Sequence, residues 1–220
     1  MCKNFNYFRH SEVTISNALS LEQKTGTPNE QLLTPASKLV DSYVAHRLQS
    51  FVHRQGRYYS DLIRESKPDF RAQAQKIGST ISPQTAAKLY KQVGLPTFSS
   101  LAKLMEERGR EILIILEPFE NTQKKKLWVR FSAQESAGYA VSSLLRGLLR
   151  QDKRSRMHLS KISGISVSTI RRLETQTTNP LFDESIVCPN IETVCRLAAA
   201  NQYRMSILFC RSTSDADRLS

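Results

Sequence analysis

The chain has 220 residues and a formal net charge of +12, which suit one large domain or two small ones and favour a polyanionic partner. Residues 36–118 carry 13 basic and 8 acidic side chains and residues 119–220 carry 16 and 9, so the basic excess lies in both halves. The four cysteines form no CxxC pair, and no run of about 18–20 apolar residues is present, so we expect neither a zinc site nor a membrane span. We therefore expect a cytoplasmic protein with reduced thiols.

The first part of the chain predicts a flexible arm followed by a helical domain. Residues 1–35 are polar and show no sustained apolar period, which indicates a flexible N-terminal arm with at most a short element near 13–21. Residues 36–118 show helical apolar spacing, with an interruption expected at Gly56. A continuous apolar run predicts a strand at 111–117, at the end of this domain.

The second part predicts a β linker and another helical domain. The linker spans residues 119–132 and contains a β-prone run at 127–131. Residues 133–210 form the second domain, in which helical segments are followed by a short strand near 204–209. The polar residues 211–220 are expected to be a tail.

Residues 159–174, LSKISGISVSTIRRLE, contain the parts of two helices joined by a sharp turn. Gly164 can adopt the positive φ that the turn needs, and Ser166 is placed to cap the second helix. Arg171 and Arg172 lie between the apolar positions of that helix and are expected to face outward. The apolar positions of the two helices are Leu159, Ile162, Ile170 and Leu173.

The two halves resemble copies of one plan. ISVSTIRRLE in the second half matches ISPQTAAKLY in the first, and each is followed after six residues by a proline, then a predicted helix and a predicted strand. The Ile seals the turn, the Ser caps the helix, the Thr lies in its first turn and the Leu packs on the core. The matched pairs are Ile81 with Ile165, Ser82 with Ser166, Thr85 with Thr169, and Leu89 with Leu173.

The second half resembles the phage-repressor (Cro-type) helix-turn-helix family over about residues 142–202. The first half resembles the same family less closely over about residues 57–109, with a longer turn and Tyr90 where the family has Glu. The segment 181–188 is longer than the family's usual link. The matching residues of the second half are Leu145, Leu149, Leu159, Gly164, Ile165, Ser166, Ser168, Thr169, Ile170, Arg172, Leu173, Glu174, Ile191, Glu192, Thr193, Leu197 and Ala198.

This resemblance implies a mainly α fold of two tandem lambda-repressor-like helix-turn-helix units joined by a small β element. In some relatives, notably antitoxin-type regulators, the strand after the last helix pairs with its copy across a dimer. We expect residues 112–116 and 205–209 to pair antiparallel within this one chain, as in a pseudo-dimer, and residues 127–131 to join that sheet.

The resemblance also places the DNA contacts. Recognition helices at about 82–91 and 166–175 would enter the major groove and read base edges. Base reading is expected from Val167, Ser168, Arg171, Arg172, Gln84, Ala87 and Lys88. Phosphate contacts are expected from Ser155, Arg156, Ser166, Thr175, Gln176, Thr177, Asn179, Arg71, Lys91 and Gln92. Glu174 is expected to pair with Arg146 or Arg150 on the first helix of the unit.

The leading hypothesis is a sequence-specific, double-stranded DNA-binding transcription regulator of bacterial, phage or plasmid type, working on the nucleoid as a monomer or homodimer. The alternative is an antitoxin-like or adaptor protein whose main ligand is another protein. An enzyme is not expected, because the sequence has no Gly-rich phosphate loop, clustered carboxylates or metal-spaced His and Cys set. No catalytic residue, cofactor or metal is therefore predicted.

Overall fold

The computed structural model describes residues 11–20, 35–65, 95–106, 109–120, 124–132, 137–175 and 188–211. Their elements are α1 (11–20), α2 (Ala36–Glu65), α3 (Phe98–Glu106), β1 (Arg110–Pro118), β2 (Leu127–Phe131), α4 (Ala137–Gln151), α5 (Arg156–Ser163), α6 (Val167–Thr175), α7 (Ile191–Ala200) and β3 (Tyr203–Arg211). The fold is therefore mainly helical with one small sheet, as predicted.

The sheet has three antiparallel strands in the order β2-β1-β3. Ile112 lies opposite Phe209 and Leu116 opposite Met205, so the predicted pairing of residues 112–116 with 205–209 is confirmed. Residues 127–131 form β2 and pair with the other edge of β1, also as predicted. The central strand therefore comes from the first half of the chain and joins strands on both sides.

Alternation along β1 divides the sheet into two faces. The side chains of Ile112, Ile114 and Leu116 are fully buried on one face. Helices α3, α4 and α7 pack against β1, β2 and β3 respectively, and the same core also contains buried residues of the other helices. Trp128 and Leu208 lie on the opposite face and are 65% and 47% exposed.

Helix α2 is longer than the sequence predicts. An interruption was expected at Gly56, but the helix continues from Ala36 to Glu65. A glycine inside a helix costs only about 1 kcal/mol. Apolar residues before it, including Tyr43, Val44 and Phe51, are buried, so tertiary packing supports the helix beyond its local preference.

Helix α1 lies in the segment that was expected to be a flexible arm. Ile15 and Leu19, four residues apart, are buried in the main core. Glu12 is 2% exposed and accepts hydrogen bonds from Arg204 on β3 and from the hydroxyl of Tyr43 on α2. The helix is thus fixed by one apolar face and a buried ion pair, and it overlaps the short element that the sequence allowed near 13–21.

Candidate nucleic-acid interface

Helices α5 and α6 are joined by the three residues 164–166. Gly164 has a φ of +69° and donates its N–H to the Ser160 carbonyl at 2.9 Å, which ends α5. The Oγ of Ser166 accepts a hydrogen bond from the Thr169 N–H at 3.2 Å and caps α6. The predicted roles of Gly164 and Ser166 in the turn are therefore confirmed.

The first helix of this pair has a cap of its own. The Oγ of Ser155 accepts from the His158 N–H at 3.2 Å. The hydroxyl of Ser163, which is fully buried, donates to the Leu159 carbonyl at 2.7 Å and accepts from the Ile165 N–H at 3.2 Å. Ser163 fixes the start of the turn, a role that sequence analysis did not assign to it.

Burial determines which face of α6 is presented to solvent. Ile170 and Leu173 are buried, together with Leu159 and Ile162 of α5, and α6 packs against α4 and α5. The opposite face of α6 carries exposed polar and charged side chains. They belong to Ser168, Arg171, Arg172 and Thr175, with Ser166 exposed at the cap and Val167 half-buried beside it.

Arg171 and Arg172 differ from the arginines around them. Within the described part of the chain, neither forms an ion pair with a carboxylate, whereas Arg154 and Arg156 both do. The predicted base-reading residues Ser168, Arg171 and Arg172 are thus brought together on one exposed helix face. The Ser168 hydroxyl forms a hydrogen bond with the hydroxyl of the cap residue Ser166 at 3.0 Å.

Glu174 has a different partner from the one expected. It pairs with Arg156 at the start of α5, where Arg156 Nε lies 2.8 Å from Glu174 Oε2. Pairing with Arg146 or Arg150 is wrong, because the last turn of α6 lies beside the N-terminus of α5. Arg156 also donates to the Arg154 carbonyl at 3.3 Å, so the guanidinium expected to contact phosphate is engaged within the protein.

Arg196 on α7 connects the turn between α5 and α6 to α2 and α7 through hydrogen bonds. Its Nε donates to Glu192 Oε1 at 2.8 Å, and its Nη1 donates to Asp41 on α2 and, at 3.4 Å, to the Ser163 carbonyl. The hydrogen bonds to both carboxylates raise the pKa of Arg196 despite partial burial. Only the spacing of Glu192 and Arg196, four residues apart on a helix, signals part of this arrangement in the sequence.

The connection between α4 and α5 is fixed by a second arginine. Arg154 Nε and Nη2 donate to the two carboxylate oxygens of Asp152 at 2.9 Å, and Nη2 also donates to the Ala200 carbonyl at 2.8 Å. Burial acts to raise the pKa of Asp152, but the hydrogen bonds and charge of Arg154 outweigh it and hold that pKa below its usual value. This ion pair connects the α4–α5 segment to the end of α7.

The first predicted recognition helix, about 82–91, lies outside the described residues. So do several of the individually predicted contacts: Gln84, Ala87, Lys88, Arg71, Lys91, Gln92, Gln176, Thr177 and Asn179. In the ranges that are described, no helix is long and apolar enough to span a membrane, and no group of His, Cys, Asp and Glu is arranged to hold a metal ion.

Comparison with protein-family models, with curated proteins and with solved structures found no match for this chain. Its function must therefore be inferred from the residues of the interface itself.

Proposed function

We propose that this chain is a sequence-specific, double-stranded DNA-binding transcription regulator in which α5 and α6 form a helix-turn-helix unit. In that role α6 lies in the major groove and its first turns contact base edges. Arginine is suited to this task, because its guanidinium can bind the O6 and N7 of guanine in a bidentate manner. The hydroxyls of Ser166 and Ser168 are exposed but bond to each other at 3.0 Å, so a phosphate or base contact from either would replace or share that hydrogen bond.

The proposal rests on one observation: some arginines near α6 form ion pairs with carboxylates of the protein, whereas the two on its exposed face do not. Arg154, Arg156 and Arg196 are each paired with carboxylates inside the protein. Arg171 and Arg172 are exposed on the same helix face and, among described residues, have no such partner. Adjacent unpaired cations repel each other, and a polyanion seated on α6 would offset that repulsion.

The resemblance between the two halves extends the proposal to a pseudo-dimer. Residues 57–109 would form a second unit of the same family, and β1 and β3 would occupy equivalent places in the two units. Two unlike recognition helices in one chain would read an asymmetric site, whereas a homodimer would present four helices to a longer palindrome. Such a protein would work in the cytoplasm on the nucleoid.

The test is selection of bound sequences from random duplex DNA by the full chain and by Arg172→Ala. Enrichment of one motif that relaxes at particular base pairs in Arg172→Ala supports direct reading by α6, and a lost bidentate contact should reduce discrimination there by about 1–3 kcal/mol. Lys38→Ala, at an exposed position of α2 outside both proposed units, is the matched control and should leave the motif unchanged.

Salt-sensitive binding without any enriched motif would contradict the proposal. That result would favour the alternative of an antitoxin-like or adaptor protein, whose main ligand is another protein.

A further inference from the structure

A second basic surface adjoins the N-terminus of α5. It consists of Lys124, Lys125 and Lys126, which precede β2, together with Lys153 in the α4–α5 connection; all four side chains are exposed. The hydroxyl of Tyr203 lies 3.0 Å from both the Lys125 carbonyl and Gln151 Oε1 and can donate to either. The lysine run is therefore held against the C-terminal end of α4.

One lysine of this surface, Lys124, lies close to the guanidinium of Arg154. Lys124 Nζ donates to the Asn201 carbonyl at 2.7 Å, and Arg154 Nη2 lies 3.3 Å from the Oδ1 of the same asparagine. Although the Lys124 side chain as a whole is exposed, its ammonium group is partly desolvated, and this desolvation together with the charge of Arg154 lowers the pKa of Lys124. The carboxylate of Asp152, which pairs with Arg154, offsets part of this effect on Lys124.

Internal carboxylates neutralise only part of this charge. Asp152 is used by Arg154, and Glu117 pairs with Lys126 at 3.0 Å in a largely exposed pair that contributes little. Glu120 is an exposed carboxylate at the end of β1. Lys125 and Lys153 are not in an ion pair with any described carboxylate, so the surface keeps a positive excess.

The surface adjoins α5, the first helix of the proposed DNA interface. Lys153 lies two residues before Ser155, the cap of α5. Arg156, the first residue of α5, pairs with Glu174 near the end of α6. The lysines therefore lie on the side of the unit where α5 begins. The first turn of α5 is expected to approach a DNA phosphate.

We propose that Lys125 and Lys153 bind the phosphate backbone of the duplex that α6 reads, and so lengthen its footprint beyond the recognition helix. This inference rests on the proposed function. Lysine acts here as a point charge without bidentate geometry, so the contact adds affinity and salt sensitivity but no sequence preference.

The experiment compares Lys125→Gln/Lys153→Gln with Lys38→Gln/Arg211→Gln in the full chain. All four side chains are exposed, both pairs remove the same charge, and Lys38 and Arg211 lie outside the two proposed DNA-binding units. Affinity for the selected duplex is measured as a function of salt concentration. Each lost phosphate contact should reduce the slope of log K against log salt by about 0.9, and should weaken binding about five- to tenfold near 0.1 M salt. The selected motif should be the same for both variants.

Equal slopes for the two variants would overturn this inference while leaving the proposed function intact. Failure of the unmodified chain to select any motif would overturn the proposed function, and this inference with it. If Lys125→Gln/Lys153→Gln loses more affinity for single-stranded oligonucleotides than for duplex DNA, the surface binds unpaired strands instead. Exposed Trp128, which lies near these lysines in the sequence, could then stack on a base.

Discussion

Replacing Gly164 by alanine should destabilise the protein, whereas the same replacement at Gly147 should stabilise it. Gly164 has a φ of +69°, and a left-handed conformation costs an L-residue about 1–2 kcal/mol. Its added Cβ would lie 3.3 Å from Arg196 Nη1, the movable end of a long side chain, so this contact adds little. Gly147 lies inside α4 with no atom within 4 Å of an added Cβ.

Alanine at Gly147 removes the conformational cost of a glycine in a helix, a gain of about 0.5–1 kcal/mol. The two single-methyl changes should therefore differ in free energy of unfolding by about 1.5–3 kcal/mol. Urea unfolding followed by far-ultraviolet circular dichroism measures this difference, and thermal unfolding should show it as about 2–4 °C per kcal/mol.

Gly109 supplies the control for backbone strain. Its φ is +60° and an added Cβ meets nothing within 4 Å, so Gly109→Ala should cost the strain alone. If Gly164→Ala lowers the free energy of unfolding more than Gly109→Ala does, the difference measures the contact of the added Cβ with Arg196. The reasoning is refuted if Gly164→Ala is as stable as Gly147→Ala.

Three further predictions concern the core, a thiol and an ion pair. Leu173→Ala removes a side chain that is 2% exposed, and should lower the free energy of unfolding by about 2–5 kcal/mol in urea. Burial raises the pKa of the Cys195 thiol to about 12, so at about pH 8 a thiol reagent should label it only as the protein opens, as followed by peptide mass spectrometry. The pKa of Asp152 is lower in the folded protein than its value of about 3.9 in the unfolded chain, so the ionised carboxylate stabilises the fold at pH values above about 3.9. This contribution is lost as the pH falls through the pKa of the folded state. The stability gap between the unmodified chain and Asp152→Asn should therefore shrink from about pH 6 to pH 3.

Each of these predictions has a comparison that can contradict it. Leu173→Met nearly conserves volume and should cost less than about 1.5 kcal/mol, so equal losses for Met and Ala would exclude a cavity effect. Cys210 is half-buried at the end of β3 and should be labelled before Cys195. A gap for Asp152→Asn that stays constant with pH would show that its charge does not contribute to stability.

The turn between α5 and α6 could be predicted because its signals are local. A cap needs a hydroxyl and an N–H within three residues, and the positive φ needs only a glycine in the right place. The pairing of β1 with β3 joins distant parts of the chain and has no such local signal. It was predicted from the resemblance between the two halves, together with the strand pairing across a dimer that is seen in some antitoxin-type regulators.

The partners of charged side chains were not predictable in the same way. Glu174 reaches Arg156, 18 residues away, because of the angle at which α6 meets α5. Arg196 reaches Asp41 across 155 residues. Such contacts depend on how helices pack, which spacing along the chain does not encode, and they decide which cations of the candidate site stay available to a ligand.

The position of β1 between β2 and β3 affects how the chain folds during translation. Leu113 lies opposite both Arg130 and Leu208, so one edge of β1 acquires its neighbour soon after β1 is made and the other only after a further stretch of about 80 residues, when β3 has been made. A two-stranded hairpin is marginally stable in water, and pairing between distant segments is slow. We therefore expect residues 1–132, made as a fragment, to expose an unpaired strand edge and aggregate, so that the first half becomes fully folded only when the last strand leaves the ribosome.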